Sequence, residues 1–281
     1  MSYPVSFPSS NPLVTVTHPS ATIWVIEMHN GADNRLTDVF LTQAFRPALD
    51  AVERHWRENW RAGVGKKDEK LTHGAVVLVG NTKQDKFFSN GLDWAGANKD
   101  PAFKTNFFPL IFNPAIHRLI TFPIPIIAAV NGHSFAGGMV LAMACDYRVM
   151  TDGSKRNAWM CMNEVHFGAQ IPLPLVAVLR AKASNAQVIR KVVLEGHRFT
   201  PKEALSSGLV DYVAGEDTEG VVSAARGLAK KVAPIAKSGA WGINKVRSVS
   251  QSARFVVLLE LPCRRRVALY GLGRGSGGVG Q

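Results

Sequence analysis

The chain alternates short apolar runs with longer segments in which apolar residues recur at helical intervals. Residues 21–29 alternate apolar and polar positions and are rich in β-branched side chains, which predicts a strand. A helix is predicted over 37–57, and a second apolar strand over 74–79 follows the polar, glycine-containing loop 61–73. Strands that alternate with helices indicate an α/β fold with a parallel sheet and crossover connections.

The segment 122–150 (FPIPIIAAVNGHSFAGGMVLAMACDYRVM) carries the strongest signal in the chain. An apolar strand ends in a loop of small residues, and a buried helix is predicted over 139–145. A helix entered through glycines directs unpaired N–H groups and the positive end of its dipole at whatever precedes it. Gly137 and Gly138 could therefore hold an anionic oxygen, and a turn that serves close packing alone is the alternative.

The second half of the chain continues the same alternation. Strands are predicted at 158–162 and 209–213, and helices at 172–179, 186–194 and 219–232. Thr200 and Glu203 form a capping box with Pro201 at the first helical position, and the helix that they begin is predicted to end at Gly208. The ending from Cys263 onward is rich in arginine and glycine and has little to bury, which predicts disorder.

Composition limits the class of protein. With 281 residues, 46% of them apolar, the chain can form one large domain. Its three cysteines include no CxxC pair, which favours a reduced intracellular protein without disulfides or a structural metal. Neither a secretory leader nor an apolar run of membrane-spanning length is evident, so we expect a soluble protein.

The net charge of +12 is concentrated near the end of the chain. From residue 242 onward there are seven basic residues and one acidic residue, so about half of the excess lies there. The rest is mildly basic, which makes nucleic acid an unlikely partner. Such a surface favours a polyphosphate ligand, or it is an ordinary solvated face.

Three segments in order resemble the crotonase family, also called enoyl-CoA hydratases and isomerases. They are 88–93 (FSNGLD), 131–148 with its glycine-entered helix, and 162–168 with its Asn-Glu pair; 200–211 is also similar. The likeness spans about 20–247 and implies an α/β fold with the ββα spiral core of crotonases and ClpP. The implied organisation has four parts: an N-terminal extension (1–20), the spiral core (21–200), a C-terminal helical region (201–250) and a divergent, disordered basic tail (251–281).

The resemblance also implies an acyl-CoA site. In the family, the thioester oxygen lies between two backbone N–H groups, which here are those of Leu92 and Gly137, where they stabilise an enolate. The same resemblance implies a CoA path along Ser89, Asn90, Gly91, Leu92 and Asp93. Two expectations are open for Lys245: contact with a phosphate of CoA, or exposure to solvent. The resemblance implies no metal and no cofactor other than the CoA of the substrate.

The catalytic carboxylates separate the branches of the family. Hydratases of this family use two glutamates, and the corresponding positions here are Val140 and Glu164. The dienoyl isomerase variant has an acidic residue where this chain has Pro172. One glutamate beside an oxyanion hole suits a 1,3-proton shift, so the resemblance is greatest to the peroxisomal-type Δ3,Δ2-enoyl-CoA isomerases. A glutamate in an apolar pocket should have a raised pKa.

The resemblance further implies a homo-oligomer, a trimer or hexamer, and a peroxisomal location. The chain ends Gly-Val-Gly-Gln instead of in an SKL-type signal, so a cytoplasmic location is the alternative. Three other functions remain open. One is hydration of an unusual acyl-CoA, and another is a non-catalytic crotonase-fold protein whose basic tail contacts acidic partners or RNA. The third is a serine hydrolase, with Ser134 in a sequence similar to a nucleophile elbow, His166 or His197, and Asp152.

Overall fold

The computed structural model describes residues 2–66, 69–97 and 103–248 of the chain. Among these residues, the strands are β1 Val5–Phe7, β2 Val14–Ser20, β3 Ile23–Met28, β4 Ala75–Val79, β5 Phe87–Ser89, β6 Ile126–Val130, β7 His133–Phe135, β8 Tyr147–Met150, β9 Met160–Cys161 and β10 Tyr212–Val213. The α-helices are α1 Arg46–Gly63, α2 Trp94–Ala97, α3 Phe103–Phe107, α4 Asn113–Ile120, α5 Gly137–Ala144, α6 Leu173–Lys182, α7 Ala186–Val193, α8 Pro201–Ser206, α9 Thr218–Val232 and α10 Ala240–Ser248.

The larger of the two sheets in the described part has seven strands in the order β1-β2-β3-β4-β6-β8-β10. Its strands from β3 to β10 are parallel, and all five residues of both β4 and β6 are buried. A strand buried on both faces must be apolar throughout, which is why these two strands are uninterrupted apolar runs in the sequence. The predicted α/β fold with a largely parallel sheet is confirmed.

The N-terminal residues add an antiparallel edge that the sequence analysis did not predict. Strands β1 and β2 form an antiparallel pair, and β2 is also antiparallel to β3. The alternation Val14-Thr15-Val16 carries the signal, because both valines are fully buried while the threonine between them is only partly so. Two prolines, Pro4 and Pro8, flank the short β1, and they obscured that strand in the sequence.

A small parallel sheet, β5-β7-β9, brings together the three segments that carry the family resemblance. Ser89 pairs with Ser134 and Phe135 with Cys161, so the three strands end at one edge. Each strand is followed at that edge by a site segment: β5 by the loop 90–93, β7 by the entry of α5, and β9 by residues 162–163 and the 3₁₀ turn Glu164–Phe167. Residues far apart in the sequence therefore meet at one place.

Helices pack against both faces of the large sheet. Helix α5 is buried over all eight residues, and it packs against α4 and α6. On the other side of the large sheet, α9 places Val221, Ala225 and Ala229 against the strands. The first long helix is preceded by a π-helical turn, Phe40–Phe45, and it continues to Gly63, beyond the predicted end at residue 57.

The capping box at Thr200 and Glu203 is present as predicted. In the described part of the chain, every helix is too short or too polar to cross a membrane. The predicted disordered tail, 251–281, lies outside the described residues.

Candidate active site

A cavity of about 310 Å³ opens where the three loops meet. Its lining includes Arg35, Asn90, Leu92, Trp94, Phe108, Gly137, Asn163, Glu164, Phe167 and Pro172. The segments with the family resemblance thus share one cleft, with backbone amides, an aromatic wall and a carboxylate. This is the composition of a small-molecule site, largely apolar with a few polar groups that converge.

The first backbone donor is the amide of Leu92. The carbonyl of the same peptide unit, Gly91 O, accepts a hydrogen bond from the Leu36 amide at 2.9 Å. A trans peptide is planar with its C=O and N–H pointing in opposite directions, so this bond turns the Leu92 N–H away from Leu36. No described residue accepts a hydrogen bond from that N–H, which leaves it available to a ligand.

The second donor is the amide of Gly137 at the start of α5. Here the carbonyl of the same peptide unit, Ala136 O, accepts from Val140 N at 3.1 Å, so the Gly137 N–H points out of the helix end. Ala136 has φ +51° and ψ −124°, a conformation that costs a non-glycine residue about 1–3 kcal/mol. The bond from Ala136 N to Cys161 O at 2.8 Å helps to hold it.

Glycines allow the two donor segments to touch. A Cβ at Gly91 would lie 3.1 Å from Gly137 N and 2.7 Å from Phe135 O. A Cβ at Gly138 would overlap the carbonyl oxygen of Ser89. Gly91 also has φ +76°, which favours glycine. The glycines of both motifs are therefore needed for close backbone approach, and the same approach brings the two donor residues side by side.

Glu164 follows β9 and begins a single 3₁₀ turn, Glu164–Phe167. Its side chain is largely buried, with the residue 9% exposed, and no described residue forms a hydrogen bond with Oε2. Burial raises the pKa of Glu164 from 4.5 to about 7, against a smaller lowering by its own backbone amide. A carboxyl with this pKa exchanges a proton readily at neutral pH.

The remaining predicted CoA-binding residues differ in position. Asn90 lines the cavity, whereas Ser89 is fully buried and its hydroxyl donates to Asn34 O at 2.7 Å. Asp93 is exposed, and its carboxylate accepts from Gly96 N at 3.1 Å. The side chain of Ser89 therefore fixes the loop to Asn34 and does not line the cavity.

Lys245 is not placed where the sequence analysis expected it. Its ammonium lies 2.8 Å from Asp146 Oδ2 and 2.9 Å from Leu119 O, and the two charged side chains are only 5% and 7% exposed. Both expectations for this residue, contact with a CoA phosphate and free solvation, are wrong in this structure. Helix α10 turns Lys245 inward, where its charge stabilises a buried carboxylate and ties α10 to the chain segment after α5.

The geometry argues against the serine hydrolase. Ser134 lies within β7, is fully buried, and its hydroxyl has no hydrogen-bond partner among the described residues. The two candidate bases are engaged elsewhere: His166 with Glu195 O and His197 with the Glu203 carboxylate. A nucleophile needs a base within hydrogen-bond reach, and neither histidine provides one.

Sequence reasoning assigned no role in the cleft to three polar residues that line it, Arg35, Asn163 and Gln170. Arg35 lines the cavity from a turn that precedes the first long helix, and its guanidinium contacts the 90–92 loop. Asn163 also lines it, with a buried Oδ1 that no described residue contacts. The neighbouring Glu164 could have indicated Asn163, whereas no local pattern indicates that Arg35 faces a loop more than fifty residues away.

Comparison with known proteins identifies the family of the chain. The family model described as enoyl-CoA hydratase/isomerase matches residues 21–244. The chain is 35% identical over 173 residues to the peroxisomal enoyl-CoA delta isomerase 2 of Arabidopsis thaliana, covering 60% of this chain and 70% of that protein. It is 31% identical over 196 residues to the carnitinyl-CoA dehydratase of Citrobacter koseri, covering 68% and 71%.

Solved structures show the same fold. An enoyl-CoA hydratase of Mycobacterium marinum superposes with a TM-score of 0.70 at 24% identity, covering 94% of this chain and 100% of the other. The human mitochondrial delta3-delta2-enoyl-CoA isomerase superposes with a TM-score of 0.63 at 23% identity, with coverage of 94% and 100%. The predicted crotonase architecture is thereby confirmed.

Proposed function

Because the chain belongs to the enoyl-CoA hydratase/isomerase family, we propose that it is a Δ3,Δ2-enoyl-CoA isomerase, which moves a double bond from C3 to C2 of an acyl-CoA. One observation carries the proposal. A buried carboxyl with a pKa of about 7, Glu164, lies in the same cavity as the amides of Leu92 and Gly137. The Arabidopsis relative named as a delta isomerase supports the same activity.

The reaction needs only these groups. Ionised Glu164 takes the proton from C2 of the 3-enoyl thioester, and the electron pair of that C–H bond is delocalised to the thioester oxygen. The resulting dienolate oxygen accepts hydrogen bonds from the two amides, a stabilisation of several kcal/mol. Protonated Glu164 then returns the proton to C4, which leaves the double bond between C2 and C3. No water is consumed.

The cleft supports isomerisation over hydration. Among the described residues that line the cavity, Glu164 is the only carboxylate. At the position that carries the second glutamate in hydratases, Val140 is fully buried in the apolar core. Pro172, at the position of the acid in dienoyl isomerases, does line the cavity. A single acid-base group can shuttle a proton between two carbons, whereas the two-glutamate route to water addition needs a second one.

The proposal is tested with purified protein and 3-hexenoyl-CoA in water enriched in ¹⁸O. We expect the 2-trans isomer without ¹⁸O in the product. Glu164→Gln should lower kcat by about 10²- to 10⁴-fold, the usual contribution of a general acid-base group. The control is Glu216→Gln, which changes an exposed glutamate outside the cleft. Unchanged turnover in Glu164→Gln would remove this carboxyl from the mechanism, and incorporation of ¹⁸O would favour hydration.

We also propose a peroxisomal location and a homo-oligomer. The name of the Arabidopsis relative supports the location. Large apolar side chains that this single chain exposes, such as Leu194 and Leu110 at 67% and 61%, are consistent with contact surfaces. Light scattering of the full chain measures the assembly, and co-sedimentation with a peroxisomal marker tests the location. A monomer, or a purely cytosolic distribution, would contradict the respective proposal.

A further inference from the structure

One turn, residues 33–36, holds the loop that supplies the first amide donor. Its main-chain and side-chain atoms bind every residue from 89 to 92. The contacts are Ser89 Oγ to Asn34 O (2.7 Å), Asn90 N to Asp33 O (2.9 Å), Asn90 Nδ2 to Asp33 Oδ2 (3.0 Å), Leu36 N to Gly91 O (2.9 Å), and Arg35 Nη1 to Asn90 O (3.1 Å) and Leu92 O (2.8 Å).

Arg35 binds on both sides of the donor peptide. The Leu92 N–H belongs to the peptide unit between Gly91 and Leu92, and the Leu36 amide holds the carbonyl of that unit. Arg35 holds the carbonyl before it and the carbonyl after it, so three successive carbonyls are fixed from one side. Gly91 lies in the middle with φ +76°, and a glycine backbone is less restricted than that of any other residue. Hydrogen bonds from outside the loop are therefore needed to fix its conformation at this point.

The guanidinium is itself fixed. Its Nε donates to Asp33 Oδ2 at 2.8 Å, and the same carboxylate oxygen accepts a hydrogen bond from the side-chain amide Nδ2 of Asn90. The planar fork of an arginine can present several donors at once in a set geometry, which a lysine cannot do. We propose that Arg35 is a positioning residue, which aims the Leu92 amide at the substrate oxygen without touching the reacting atoms. This inference rests on the proposed isomerase function.

A second role for Arg35 would leave a different kinetic signature. The residue lines the cavity and its side chain is 37% exposed, so it could instead bind a phosphate of CoA. Loss of a phosphate contact removes ground-state binding and raises KM while kcat stays the same. Loss of an aligned oxyanion donor weakens binding of the transition state alone, so kcat falls and KM changes little. The two roles are separable in one experiment.

The kinetic test uses Arg35→Met and Arg35→Lys in the full chain. Arg35→Met should lower kcat about 10- to 100-fold, less than or equal to the loss of a whole oxyanion donor, with KM within about threefold. Arg35→Lys should recover part of kcat, since one ammonium can bind one carbonyl. The matched control is Arg190→Met, because Arg190 Nε also binds a carboxylate at 2.8 Å, that of Glu195, far from this loop in the sequence. Unchanged kcat, or a raised KM alone, would overturn the proposal.

A spectroscopic test does not depend on turnover. Hydrogen bonds to the carbonyl of a conjugated thioester polarise it and move its absorption to longer wavelength, so bound 2,4-hexadienoyl-CoA reports on the amide pair. We expect a clear shift in the parent and a smaller one in Arg35→Met at saturation. If the parent shows the shift and Arg35→Met shows a smaller one, but the parent does not isomerise 3-hexenoyl-CoA, the proposed function fails, whereas Arg35 still positions the amide pair. A full shift in Arg35→Met, or none in the parent, would refute the positioning role.

Discussion

The carboxyl proposed as the catalytic group should destabilise the protein at neutral pH and above. Burial raises the pKa of Glu164 to about 7 from its ordinary 4.5. The folded protein therefore binds this proton more tightly than the unfolded chain does. Below about pH 4.5 both states are protonated and the group makes no difference to stability. As pH rises from there to about 7, only the unfolded chain releases the proton freely, so the free energy of unfolding falls.

The size of the effect follows from the same two values. Each tenfold change in proton affinity corresponds to about 1.4 kcal/mol, so ionised Glu164 costs the fold about 3 kcal/mol above pH 8. Glu164→Gln replaces the carboxyl by an uncharged group of similar shape at every pH. Relative to the parent, we expect the variant to gain up to about 3 kcal/mol between pH 4.5 and 8, with no further change above.

Urea denaturation of parent and variant at pH 4.5, 6, 7 and 8 measures this difference directly. Glu216→Gln is the control, because the exposed side chain at that position has lost little hydration; its stability should follow the parent at each pH. A stability difference between parent and Glu164→Gln that is the same at all four values would refute the reasoning, since it would mean that the native carboxyl has an ordinary pKa.

Three further substitutions, the first with a matched control, test the site and its surroundings. Gly91→Ala should lower kcat about 100-fold by separating the two amide donors. The control is Gly239→Ala, at a similar φ of +73°, where an added Cβ would meet no atom within 4 Å. It should lower the free energy of unfolding by about 1–2 kcal/mol and leave kcat unchanged. Lys245→Met should lower the free energy of unfolding by about 3–5 kcal/mol, because Asp146 is left buried and unpaired, while KM for the acyl-CoA stays within about twofold. Ser134→Ala should keep full isomerase activity, and the parent should not react with a fluorophosphonate probe. Labelling of Ser134 would instead support the serine hydrolase.

Local patterns determined most of the framework. Strands β4 and β6 are fully buried, and fully buried strands must be continuous apolar runs, which are visible in the sequence. The capping box at Thr200 acts within one helical turn, so its residues alone predict it. The glycines at 137 and 138 indicated either a helix entry that holds an anionic oxygen or a closely packed turn. Glu164 was identified by resemblance, and among the described residues it is the only carboxylate that lines the cleft.

Tertiary structure decided what these residues can do. The Lys245 ammonium could have faced solvent or a ligand, and only the packing of α10 pairs it with Asp146. Arg35 acts on a loop more than fifty residues away, a contact that no periodicity encodes. The raised pKa of Glu164 is a consequence of burial by several elements together. Sequence patterns specify backbone conformation and which faces are apolar over a few residues, whereas electrostatic environment and the direction of an amide depend on chain segments that meet only after folding.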